Sequence, residues 1–128
     1  DVQKTVDRYI RDSDTLMEVD EERGIAWLTI DSPYHINSWV SSVISNRRPE
    51  LTYIVMQPMD RIVNVSARCQ GQGTDCGELL SCATQGLPGA KGGGHVPAAG
   101  AKLDECDIGR FKENIITCMG RQHGKRLL

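Results

Sequence analysis

The sequence predicts an α/β fold, a mixed β-sheet of about five strands flanked by helices. Three observations lead to it. The runs "LTYIVMQ" and "RIVNVSARC" are short, β-branched and largely apolar, as strands buried in a sheet are. Segments with apolar residues three and four apart stand before and after those runs, as amphipathic helices do. The 128 residues, 39% hydrophobic and 25% charged, are enough for one domain with a sizeable core.

Taken in order, Val2, Val6, Tyr9 and Ile10 recur at helical spacing and predict a short leading helix. "MEVDEERGIAWLTI" reads as two strands around an acidic turn ending at Gly24, Ile25 to Ile30 being the stronger strand. Ser32-Pro33 marks a helix start, with Ser as N-cap and Pro at the first helical position. Ile36, Trp39, Val40, Val43 and Ile44 follow on one face, and Asn46-Arg47-Arg48-Pro49 ends the helix. The two apolar strands come next, joined by a turn at Pro58-Met59-Asp60. Thr74 or Asp75 caps another helix, Asp75 and Glu78 making a capping box over the buried stripe Cys76, Leu79, Leu80 and Ala83. A glycine-rich loop from Gly86 to Gly94 leads into a strand around Ala98 to Leu103. A last helix turns Ile108, Phe111, Ile115 and Cys118 inward, and the basic tail "GRQHGKRLL" is expected to fray. The chain divides into a leading helix and hairpin at 1–23, a core at 24–120 and a tail at 121–128.

Composition narrows the function. The net charge of −2 rules out a general polycation, so any contact with nucleic acid has to be a local patch. No apolar run is long enough to span a bilayer, and "DVQKTVDRYI" carries no signal-peptide pattern. A first residue of Asp reads as an excised or processed chain. Cys69, Cys76, Cys82, Cys106 and Cys118 include no C-x-x-C pair, which argues against zinc and for reduced, mostly buried thiols in a cytoplasmic protein.

"GAKGGGHVPAAGAKL", residues 89–103, sets three glycines against one of only three histidines. Glycine lacks a Cβ, so a ligand can approach its backbone, and successive N–H groups can form an anion-binding nest. His95 adds a side-chain donor. On the strand "VNVSARC", alternation sends Val63, Val65 and Ala67 to the core and Asn64, Ser66 and Arg68 to the opposite face. Ser66 offers a hydroxyl and Arg68 a planar fork that suits phosphate oxygens. The candidate substrate-binding residues are therefore Ser66, Arg68, Gly92, Gly93, Gly94 and His95, with Lys91 a further candidate. The competing reading is a flexible connector beside an ordinary polar strand face, with His35 and His123 incidental. Gly86 to Lys91 lacks the spacing of a P-loop, and Cys76 stands where the third glycine of a dinucleotide fingerprint belongs.

"GGGHVPAAGAKL", preceded by "VNVSARC" and a capped helix, resembles the DHH-associated domain of DHH-family phosphoesterases over about residues 24–120. That family includes RecJ-like single-strand exonucleases, oligoribonucleases and cyclic-dinucleotide phosphodiesterases. The resemblance implies a two-domain, cytoplasmic hydrolase. A separate DHH domain of the same polypeptide would carry two manganese ions, and this chain would hold the phosphates or terminal nucleotide of single-stranded DNA, RNA or an oligonucleotide. Gly93, Gly94 and His95 match the family's substrate-binding motif, and Arg68 its strand-borne arginine. No Asp-His-His is present, so the chain alone is expected to be catalytically silent and to need no cofactor of its own. The alternative is an RNA-binding module like the related domain at the C-terminus of alanyl-tRNA synthetases.

Overall fold

A computed structural model describes residues 1–71 and 73–127, the side chains of 125–127 excepted. In chain order the elements are α1 (Val2–Leu16), β1 (Glu18–Asp20), β2 (Ile25–Thr29), α2 (Asn37–Ile44), β3 (Thr52–Met59), β4 (Ile62–Arg68), α3 (Cys76–Thr84), β5 (Lys91–Gly94), β6 (Ala98–Asp104) and α4 (Ile108–Leu127). They build one mixed six-stranded sheet in the order β1-β2-β3-β4-β6-β5. β2 and β3 are its parallel pair, joined through α2, and the other neighbours are antiparallel. The fold class is the expected one. The additional strand is the glycine run itself.

Helices cover both faces, and strand alternation decides which residue meets which layer. Ile54 and Met56 of β3 with Val63, Val65 and Ala67 of β4 pack under α3 and α4, around Leu79, Leu80, Phe111 and Ile115. Tyr53 and Val55 with Ala26 and Leu28 of β2 pack under α1 and α2, around Val6, Tyr9, Val40 and Ile44. β3 is thus apolar on both sides, which is why its sequence is a nearly unbroken apolar run. Tyr9 fastens α1 to the end of β2: its hydroxyl donates to Asp31 O at 2.9 Å and accepts from Asp31 N at 2.8 Å. Among the described residues no helix is long and apolar enough to cross a membrane.

Several local expectations are corrected. Ser32-Pro33 opens a turn, not a helix: Ser32 Oγ accepts from Tyr34 N at 3.1 Å, and α2 starts only at Asn37. Its N-terminus has no side-chain cap of its own, because Gln57 of β3 supplies one from across the sheet. Gln57 is fully buried, and its Oε1 accepts from both Ile36 N and Asn37 N at 3.1 Å. Its Nε2 donates to the carbonyls of Tyr34 and Ser32. Gln57→Leu would leave these groups buried and unpaired, so we expect a loss of about 3 kcal/mol in denaturant unfolding, where an uncapped surface helix would lose less. Trp39 and Val43 were expected inward but are 44% and 38% exposed, since the short helix rests on Asn37, Val40, Ser41 and Ile44. The β3–β4 turn lies at Asp60-Arg61, both at positive φ, as a two-residue hairpin turn requires, and Pro58 stays in the strand.

The tail does not fray at residue 121. α4 continues through it because Gln122 is anchored: its Oε1 accepts from Asp75 N at 2.9 Å and its Nε2 donates to Asp75 O at 3.0 Å. Leu128 lies outside the described residues. Asp75 is the N-cap of α3, accepting from Glu78 N at 3.0 Å, but Gln122 serves its backbone N–H, so the expected capping box is not closed by Glu78. The thiols are not all reduced either. Cys82 and Cys118 are joined by a disulfide, because α3 and α4 pack side by side and set these two inward residues 6.2 Å apart at Cα. Cys69 and Cys76 are free and buried; Cys106 is free and exposed.

Candidate functional site

α2 is short, and of the strands it lies chiefly over β3 and β4. Beyond it the same sheet face, formed by β4, β6 and β5, is roofed by no helix among the described residues. There the strands floor a cleft of about 670 Å³. Register fixes the side chains on this floor. Ser66, Gly100 and Gly93 are successive partners across β4, β6 and β5 and form its middle row. On one side stand Asn64, Lys102 and Lys91, again successive partners; on the other, Arg68 and Ala98. Asn37 and Ser38, at the start of α2, complete one wall. The small middle row leaves the backbone accessible, with three cationic side chains around it.

Among the described residues no Asp or Glu lines the cleft. Among the described residues Arg68, Lys91 and Lys102 enter no salt bridge. Arg68 is half-buried, with a 3.4 Å contact from its Nη2 to Ser38 Oγ. In a chain of net charge −2, these three cations make a local positive field.

The glycines take a different form from the expected nest. Lys91–Gly94 is an extended edge strand, in which successive N–H groups point to opposite sides and do not converge. The reason for glycine is close packing. A Cβ on Gly92 would lie 2.5 Å from Leu80 O of α3, and one on Gly77 would lie 2.3 Å from Gly94 O. Gly94, at φ +147°, would set a Cβ 2.7 Å from Ala99 Cα. Gly93 alternates to the cleft side, where a Cβ would meet nothing within 4 Å. Two jobs are therefore divided along one strand: Gly92 and Gly94 admit the helix and neighbouring strand, and Gly93 keeps the floor flat.

Ser66, Arg68 and Gly92 to Gly94 are brought together as the sequence suggested, and Lys91 joins them. His95 is exposed and lies outside the cleft lining. Its backbone closes the β5–β6 turn, its N–H donating to Ala98 O at 2.9 Å and its carbonyl accepting from Gly77 N at 3.1 Å. The buried thiols brace the same turn from below. Cys69 Sγ lies 3.1 Å from Thr74 O and 3.5 Å from Val96 O, while Cys76 N donates to Val96 O at 2.9 Å. The hydrogen bond to Cys69, and then burial, push the Cys76 thiol up, keeping it protonated and unreactive. Lys102, Asn37 and Ser38 were missed by sequence reasoning. Alternation along β6 puts Lys102 on the face of Gly100 and was the available signal; nothing local marks Asn37 or Ser38. Among the described residues no three of His, Cys, Asp and Glu stand together as metal ligands.

A sequence model of the DHHA1 domain matches residues 31–121. The chain belongs to that family. No curated protein matches it. Among solved structures, this DHHA1 domain is similar to RecJ in complex with Mg²⁺ from Thermus thermophilus, at TM-score 0.70 and 20% identity over 93% of this chain and 18% of that one. The pGpG-specific phosphodiesterase PggH of Vibrio cholerae follows at TM-score 0.63 and 14% identity, over 94% of this chain and 40% of that one. The C-Ala domain of Aquifex aeolicus alanyl-tRNA synthetase is similar at TM-score 0.59 and 10% identity, over 74% of this chain and 87% of that one. At these identities the likeness is one of fold. The DHHA1 domain spans well under half of the phosphodiesterase and of RecJ, and most of the synthetase domain.

Proposed function

We propose that this DHHA1 domain is the substrate-holding part of a DHH-family phosphoesterase. It grips phosphates of a single-stranded nucleic acid or short oligonucleotide in the cleft over β4, β6 and β5. Hydrolysis, with its two manganese ions, belongs to a DHH domain outside this chain. One observation carries the reading: a cleft with a small-residue floor, lined by Arg68, Lys91 and Lys102 and, among the described residues, by no carboxylate. Such a surface suits phosphate oxygens, which take a guanidinium in two parallel hydrogen bonds and lie close against backbone. His95, exposed and outside the cleft lining, is given the lesser part in binding. RNA binding alone, without a hydrolytic partner, is the second reading, favoured by the C-Ala likeness, because this chain spans 87% of that domain.

Arg68→Ala and Gly93→Val test the cleft from two directions. Removing the guanidinium is expected to cost about 1.5–3 kcal/mol of binding to a 5′-phosphorylated oligonucleotide, the range for hydrogen bonds to charged groups. Gly93→Val fills the floor at a position with room for a side chain, so binding should fall while the melting temperature holds. His95→Ala should cost less than Arg68→Ala. Calorimetric titration beside thermal melting reads all three. Oligonucleotide affinity untouched by both Arg68→Ala and Gly93→Val would remove the cleft from the binding site.

A further inference from the structure

The Cys82–Cys118 bridge lies between α3 and α4, on the sheet face opposite the cleft. Two hollows of about 250 and 170 Å³ open onto it from the surface, and both cysteines line each of them. The two ends of the bridge differ. Cys82 is half-buried, whereas Cys118 is only 5% exposed. Cys82 stands in the last turn of α3, where the helix carbonyls disfavour a negative charge. Cys118 stands inside α4, three residues before Arg121 on the same helix face. Arg121 is exposed, lines both hollows and, among the described residues, enters no salt bridge. Glu78 is the one carboxylate lining either hollow among the described residues.

We infer that this bridge is a site of thiol–disulfide exchange with a small thiol of the glutathione class, Cys82 being the sulfur attacked and Cys118 the leaving group. The incoming thiolate bonds to Cys82 Sγ as the bond to Cys118 breaks. The electron pair leaves on Cys118 Sγ, one helical turn from a guanidinium that stabilises the departing thiolate, and Cys118 then takes a proton from water. The product is a mixed disulfide on Cys82 and a thiol at Cys118, with no net oxidation. A second small thiolate then attacks the small-molecule sulfur, releasing the Cys82 thiol and a small disulfide. The hollows are below the size of drug-sized ligand sites, which suits a small thiol. The inference stands apart from the phosphate-holding reading, since the site and the cleft lie on opposite faces of the sheet.

The test uses a Cys106→Ser background, which removes the exposed free thiol. The folded protein is treated with reduced glutathione and quenched with acid, released thiols are capped with N-ethylmaleimide in denaturant, and both cysteines are mapped by peptide mass. Glutathione should be found on Cys82 and the maleimide on Cys118. Opening should speed up in proportion to glutathione, because the sulfur is attacked in the folded protein. Arg121→Gln should slow opening about two- to fivefold, the size of one exposed charge pair, and Arg121→Lys should restore it. The melting temperature of the bridged form should be the same in all three. Glutathione on Cys118, or on both cysteines equally, would overturn the inference. So would an opening rate that levels off at the rate of global unfolding. Parent-like opening in Arg121→Gln would remove Arg121 from the exchange.

Discussion

Gly92→Val is expected to destabilise the protein by at least about 3 kcal/mol, the upper end of what overpacking a close-packed interior costs. The new Cβ would lie 2.5 Å from Leu80 O and 2.9 Å from Leu80 C, so the obstacle is backbone, which cannot rotate aside. Gly77→Ala makes the same test from the helix side, with Cβ 2.3 Å from Gly94 O and 2.8 Å from Gly94 C. Either change must part α3 from β5 and expose Leu79, Leu80 and Ala83, all fully buried now. Gly93→Ala is the control, one residue along the same strand, and should stay within about 1 kcal/mol of the parent. Urea unfolding of the three variants checks this. Equal stability for Gly92→Val and Gly93→Ala would mean that the glycine run is a connector after all.

The second large effect belongs to Cys82–Cys118. The bridge closes a loop with a sequence separation of 36, for which chain entropy gives about 4 kcal/mol of stabilisation. The Cys82→Ala/Cys118→Ala variant should therefore lose about 2–4 kcal/mol and melt about 10 °C lower. Because α3 and α4 also pack through Leu79, Ala83, Ile115 and Met119, the fold should persist without the bridge. Thiol labelling gives an independent check. The native protein should take one label, at exposed Cys106. Unfolding without reductant should expose three thiols, and unfolding with reductant all five. Five labels without reductant would show that the pair is not joined.

The elements most legible in the sequence were those whose side chains carry a period. Val63, Val65 and Ala67 alternate with Asn64, Ser66 and Arg68, and the sheet uses those faces for core and cleft. The stripe Cys76, Leu79, Leu80 and Ala83 is the buried face of α3, and Asp75 caps it. α1 and α4 follow their apolar spacing in the same way. α2 was displaced by four residues because Ser32-Pro33 carries a strong local start signal, while its actual cap, Gln57, lies 20 residues past Asn37. Gln122 on Asp75, 47 residues away, held the tail in a helix that composition alone said would fray.

Composition, alternation and capping thus determined by themselves the α/β class, most of the core and the cleft face of β4, because burial of a face writes its period into the chain. Only the tertiary structure decided what the three glycines do. A residue without a side chain has no period to read, so a run of them is silent about strand or loop. Their reason is a set of distances to Leu80, Gly77 and Ala99, fixed once α3 lies on the sheet edge. The tertiary structure also decided that Lys91 and Lys102 stand side by side and that Cys82 meets Cys118. Each pairing depends on register or helix packing between residues far apart in sequence, and no local pattern encodes that.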